Sequence, residues 1–104
     1  MLNDLALPVR LTTRSGEVTL RDAVDEDLDA LMALLSDDPI SAARGDVAAP
    51  EDRPRYAEAL RSIVDDPANA LLVAEDADGR LIGTLQLTRI PGMARRGATR
   101  LLVE

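Results

Sequence analysis

The chain has 104 residues and a formal net charge of −7, set by twelve basic residues, all of them Arg, against nineteen Asp and Glu. Cys, His, Lys, Trp and Phe are missing, and Tyr56 is the single aromatic residue. These gaps exclude thiol nucleophiles, the usual zinc sites, Ser-His-Asp relays, Schiff bases and a P-loop lysine, so acid-base work falls to carboxylates, Tyr56, hydroxyls and water.

One domain of this length buries roughly 65% of the unfolded chain's surface. Residues 1–79 hold seven Arg and eighteen acids, net −11, whereas residues 80–104 hold five Arg and one acid, net +4. The overall acidity, with no aromatic stacking platform, argues against nucleic acid as a partner. No apolar run reaches the ~20 residues that span a bilayer. The first residues lack a basic n-region and a long apolar stretch, so no signal peptide is expected. The sequence thus reads as a soluble, cytoplasmic protein with no membrane partner.

Residues 1–16 are expected as a mobile leader, with an edge strand as the alternative because Leu5, Leu7, Val9 and Leu11 alternate. Pro8 and the Thr-Thr-Arg-Ser-Gly tract at 12–16 argue against a long central strand. A short strand follows in EVTLRDA, carrying Val18 and Leu20, and then a helix that Asp25 can cap. Leu28, Leu31, Met32 and Leu35 keep the i, i+3, i+4, i+7 spacing of one helix face. Residues 37–50 read as a long loop. A second helix opens at Pro50 to Pro54, shows a stripe of Tyr56, Leu60, Ile63 and Val64, and ends at Asp65-Asp66-Pro67.

From Ala70 the period changes. Leu71 to Ala74 form an apolar run suited to a strand buried on both faces, and Asp78-Gly79 signals a hairpin. The returning strand LIGTLQLTRI contains Gly83, expected to mark a bulge or a close backbone approach. Pro91-Gly92 breaks it, Arg95-Arg96-Gly97 makes a basic connector, and residues 98–104 begin another strand.

The stretch LIGTLQLTRIPGMARRGATRLLVE, Leu81 to Glu104, together with the entry VTLRDAVDEDLDAL, resembles the N-terminal part of the GNAT superfamily of acetyl-CoA-dependent N-acetyltransferases. The resemblance covers about residues 17–104 and implies an α/β (α+β) fold, a mixed, mainly antiparallel sheet in the order β-α-α-β-β-β. It implies transfer of acetyl from acetyl-CoA to a primary amine by direct attack, with no metal. The family's Gly-rich Arg/Gln-x-x-Gly-x-Gly/Ala loop, which holds the pyrophosphate at a helix N-terminus, does not occur in these residues. The domain is therefore expected to be truncated before its acetyl-CoA loop and helix, and this chain alone to be inactive.

By the same resemblance Glu104 lies near the acceptor amine and is the candidate base, directly or through water. Asp46 and Tyr56 fall in the region that shapes the acceptor pocket, although Tyr56 also suits ordinary core packing and Asp46 plain turn chemistry. Gln86 and Thr88 share a strand face and either line the substrate cleft or are ordinary strand polarity. The acceptor is expected to be a small-molecule or peptide amine. The competing reading is a non-catalytic interaction module that pairs through the exposed edge of strand 98–104, as a homodimer or with a C-terminal half.

Overall fold

The computed structural model describes residues 6–45 and 49–104. Five strands form one sheet in the order β1 (Val9–Thr13), β2 (Gly16–Asp22), β3 (Asn69–Glu75), β4 (Leu81–Ile90) and β5 (Arg100–Val103), every neighbouring pair antiparallel. Helices α1 (Leu28–Asp37), α2 (Pro39–Ala43) and α3 (Arg53–Asp65) lie between β2 and β3 in the chain. The expected order of a strand, helices and three strands is present, with two additions.

The first addition corrects the leader. Val9 to Thr13 pair with Leu20 to Gly16, so this stretch is an edge strand rather than a mobile arm. The Thr-Thr-Arg-Ser-Gly tract is the turn of that hairpin: the Thr13 hydroxyl donates to the Gly16 carbonyl at 2.7 Å and accepts the Ser15 N–H at 3.2 Å. Pro8 sits just outside the strand, where a missing donor costs no ladder bond. The second addition is α2, inside the expected 37–50 loop. Asp38 Oδ1 accepts the Ile40 N–H at 3.2 Å, and Pro39 takes the first helical position, where its lost donor is not needed.

The start of α1 also differs from expectation. A 3₁₀ turn at Asp25–Asp27 leads into it, and the carboxylate that serves the end is Asp27, whose Oδ2 accepts the Val24 N–H at 2.8 Å. Asp25 instead reaches Arg61 of α3 at 2.7 Å on the surface. Asp27 is one of the buried residues, and Arg21 of β2 explains how a charge is tolerated there. Its guanidinium donates through both Nη atoms to the two Asp27 oxygens, each at 2.8 Å, and Nη2 also reaches Glu75 at 3.4 Å. The Arg21 hydrogen bond holds the Asp27 carboxyl below its ordinary range, against the opposing effect of burial, with the Val24 N–H adding to it.

Strand pleating sorts the apolar residues onto two faces. Toward the helices, Val73 meets Ala23, Leu28, Leu31, Met32 and Leu60. On the opposite face Ala70, Leu72 and Leu87 cluster with Leu7. As expected, β3 is buried from both sides. The irregularity near Gly83 is a bulge: Ala74 pairs with Gly83 but Glu75 with Leu81, leaving Ile82 as the extra residue. The inserted residue turns Leu81 back to the helix side, where it packs on the core, and leaves Ile82 half exposed.

The connector between β4 and β5 is a single left-handed turn. Arg95 (φ 53°), Arg96 (φ 63°) and Gly97 (φ 77°) are consecutive, closed by Gly97 N–H to Met93 O at 3.1 Å and Ala98 N–H to Ala94 O at 3.2 Å. Left-handed backbone costs a non-glycine residue about 1–2 kcal/mol. The close backbone approach lies at Gly92, where a Cβ would meet the Ala98 carbonyl oxygen at 2.7 Å.

Asp27→Asn should lower stability at neutral pH by about 1.5–3 kcal/mol, because it breaks the paired charged hydrogen bonds to half-buried Arg21 and leaves that guanidinium with Glu75 at 3.4 Å. Since the folded carboxyl titrates below its unfolded value, the contribution is complete above that value and fades as pH falls beneath about 4. Urea unfolding at pH 7 and pH 3 should therefore show a wild-type-to-variant gap that narrows in acid. In the connector, Arg96→Gly should raise stability by about 0.5–1 kcal/mol, and Gly92→Ala should lower it, both read from thermal midpoints.

Candidate functional site

The helix-facing rows of β3 and β4 carry Asn69, Leu71 and Val73 and then Thr84, Gln86 and Thr88. Glu104 continues this row past β4: its N–H and carbonyl exchange hydrogen bonds with those of Gln86, both at 2.9 Å. Above these residues stand the apolar stripes of α1 and α3. Arg53 of α3 binds Asp29 of α1 at 2.9 Å, and Arg61 binds Asp25, so two surface ion pairs tie the helices together. The Arg53 hydrogen bond lowers the Asp29 carboxyl, and Asp29 in turn raises the guanidinium. In open solvent such pairs orient more than they stabilise.

Helices and sheet leave between them a cavity of about 470 Å³, with apolar walls from α1, α3 and β3. Tyr56, Gln86 and Glu104 all line it, so the structure brings three of the five candidate residues to one place. Thr88 is not among the lining residues. Its hydroxyl donates to Asn69 Oδ1 at 2.6 Å, the same oxygen that accepts Gln86 Nε2 at 3.1 Å. Asn69 is itself held through Nδ2 to Asp66 Oδ2 at 2.9 Å, while Asp66 Oδ1 accepts the Ala68 N–H at 2.8 Å. This relay fixes the Gln86 amide beside the cavity and fully engages Thr88. Asp46 lies outside the described residues.

Two lining residues were not expected from the sequence. Thr84 follows from the alternation that selects Gln86, although its hydroxyl is bonded to the Leu72 carbonyl at 3.0 Å. Arg44 stands just after α2, within the stretch expected as loop, and its local sequence carries no signal that it lines a cavity.

Glu104 supplies a carboxylate and Gln86 an oriented amide, a pair able to hold an ammonium group and accept its proton. Among the described residues no three acidic side chains converge as metal ligands do. Nor does any described residue set fit a pyrophosphate: the glycines nearest to β5, Gly92 and Gly97, shape its connector and open no helix beyond it.

No family model and no curated protein matches the chain. Solved structures do. A transcriptional regulator from Bacillus halodurans C-125 aligns with a TM-score of 0.70 and 29% identity, covering 83% of this chain and 56% of its own. An acetyltransferase from Trypanosoma brucei aligns with a TM-score of 0.55 and 21% identity over 84% of this chain and 56% of its own. For a spermidine N-acetyltransferase chimera of Vibrio cholerae the values are 0.55 and 24%, over 83% and 49%. This chain has the fold of the GNAT acetyltransferases and spans about half the length of the solved structures it matches.

The relay under the cavity is open to test. Asn69→Leu removes the shared acceptor of Gln86 and Thr88 and should cost about 1–3 kcal/mol, measured by urea unfolding. Thr88→Val in that background should recover part of the loss, because it removes one of the stranded groups.

Proposed function

We propose that these residues form the acceptor side of a GNAT N-acetyltransferase, which moves acetyl from acetyl-CoA to a primary amine by direct attack. The observation that carries the reading is the convergence of Glu104, Gln86 and Tyr56 on one cavity in this fold. The acceptor enters as an ammonium ion, which cannot attack a carbonyl until it loses a proton. Glu104 takes that proton, directly or through one water, and the oriented Gln86 amide positions the nitrogen. Tyr56 closes the α3 side of the pocket. No covalent enzyme intermediate is needed, in keeping with a chain that has no Cys or His.

The groups that hold the acetyl donor are assigned to residues outside these 104, so the chain by itself is inactive. The acceptor is a small-molecule or peptide amine. The compartment is cytoplasmic; among the described residues no helix is long and apolar enough to cross a membrane. A role in binding nucleic acid is disfavoured by the net charge of −7.

Calorimetry with the 104-residue chain should detect primary amines and no acetyl-CoA. Acetyl-CoA-dependent thiol release should appear only when these residues are joined to a donor-binding half. There Glu104→Gln should reduce kcat/KM by about 10²-fold or more, through a lower kcat and a weaker hold on the ammonium form of the acceptor. Thiol release from the short chain, or unchanged turnover in the variant, would refute the reading.

A further inference from the structure

The cavity has a charge pattern that a plain amine does not use. Its walls are hydrocarbon, among them Leu31, Leu35, Ile63 and Leu71, and its two charged lining residues are Glu104 and Arg44. Glu104 comes from the sheet; Arg44 comes from the opposite, helical side, just past α2. Neither forms an ion pair with the other or with any described residue. Seven of the chain's twelve arginines lie in an acidic body of net −11, where counter-ions are plentiful. Of these seven, Arg21, Arg53 and Arg61 bind carboxylates. Arg10, Arg14, Arg44 and Arg55 form no ion pair with a described residue, and of these four Arg44 is the one that lines this cavity.

Two smaller hollows adjoin the cavity. Beyond Thr84 and Leu35 the surface carries Asp37 and Asp38. Past Tyr56 and Ala59 it carries Arg55, together with Asp52. The hollow beside Leu35 is thus acidic, and the one beside Tyr56 holds one charge of each sign.

We infer that the acceptor is an amino carboxylate with an apolar body. Its amine lies at Glu104 and Gln86, its hydrocarbon rests against α1 and α3, and its carboxylate pairs with Arg44. The guanidinium fork matches a carboxylate through two parallel N–H donors. The same cation selects against a diamine, whose second ammonium would be brought toward it. This inference rests on the acceptor-side reading above, and it makes Arg44 the residue that determines specificity.

Calorimetry on the full chain without acetyl donor tests it with matched probes: leucine against 3-methylbutylamine, and 6-aminohexanoate against pentylamine and 1,6-diaminohexane. At least one amino carboxylate should bind tenfold or more tighter than its matched amine, a difference of about 1.4 kcal/mol, with the diamine weakest. Which of the two it is reports the spacing of amine and carboxylate. Arg44→Gln should bring the amino carboxylate down to the level of the amine and leave the amine unchanged, while Arg44→Lys restores part of the gap. Arg44 is exposed, so an unchanged thermal midpoint should accompany both substitutions. Equal binding of amine and amino carboxylate, an Arg44→Gln effect shared by both, or no binding by any probe would overturn the inference. Acetyl transfer is scored separately in the joined polypeptide. Arg44-dependent binding without transfer overturns only the transferase reading; transfer indifferent to Arg44 overturns only this one.

Discussion

The ion pair between Arg21 and Asp27 is the contact on which the rest of the arrangement depends. One guanidinium joins the end of β2, the turn that launches α1 and, through Glu75, the end of β3. Asp27 spends a further lone pair on the Val24 N–H, so the direction in which the chain leaves the sheet is set by the same carboxylate. Burying such a pair gains little net stability, but breaking it leaves a charge with nowhere to go. The consequence is directional: α1 packs across β4 and α3 across β3, and the space left between helices and sheet is the cavity.

The two faces of the sheet have different fates. Toward the helices, the core around Val73 is closed. On the other face, apolar residues from all five strands line up by register, from Val9 and Leu11 through Leu20, Leu72 and Leu85 to Leu101 and Val103. Several of these stay substantially exposed, including Leu11 at 43% and Val103 at 57%. The interior strand β3 anchors both faces, whereas β1 and β5 are edges whose side chains are exposed throughout.

Much of this was legible in the amino-acid order where one local rule dominates. The stripe of Leu28, Leu31, Met32 and Leu35 is a helix face and nothing else. The change of period at Ala70 announces a two-sided strand. What escaped depends on partners that only the folded chain brings together. Asp25, Glu26 and Asp27 look alike as caps, and the position of Arg21 at the end of β2, six residues earlier, selects Asp27. The pairing of Val9 to Thr13 was obscured because Pro8 and a polar tract resemble a leader until a strand to pair with is supplied. Gly83 pointed correctly to a bulge, but the extra residue is its neighbour Ile82. In the site, alternation was enough to select Gln86. Thr88 shares its row yet is captured by Asn69, a contact that needs Asp66 and the end of α3 to be in place. Arg44 was invisible for the same reason: its place in the cavity wall comes from where α2 ends.

The connector between β4 and β5 acts as a gauge. Side chains on a strand alternate faces, so a shift of one residue exchanges everything that faces the helices for everything that does not. If β5 slid by one position, Val103 would stand beside Gln86 and Glu104 would leave the pocket. The strand itself, Arg-Leu-Leu-Val, has little to prevent this, because its side chains are exposed on both sides. The resistance comes from the left-handed turn and from Gly92 pressed against the Ala98 carbonyl, which admit one loop length. Whether the pocket holds a negative charge or a methyl group is thus decided some twelve residues away, by a backbone measurement rather than by the site.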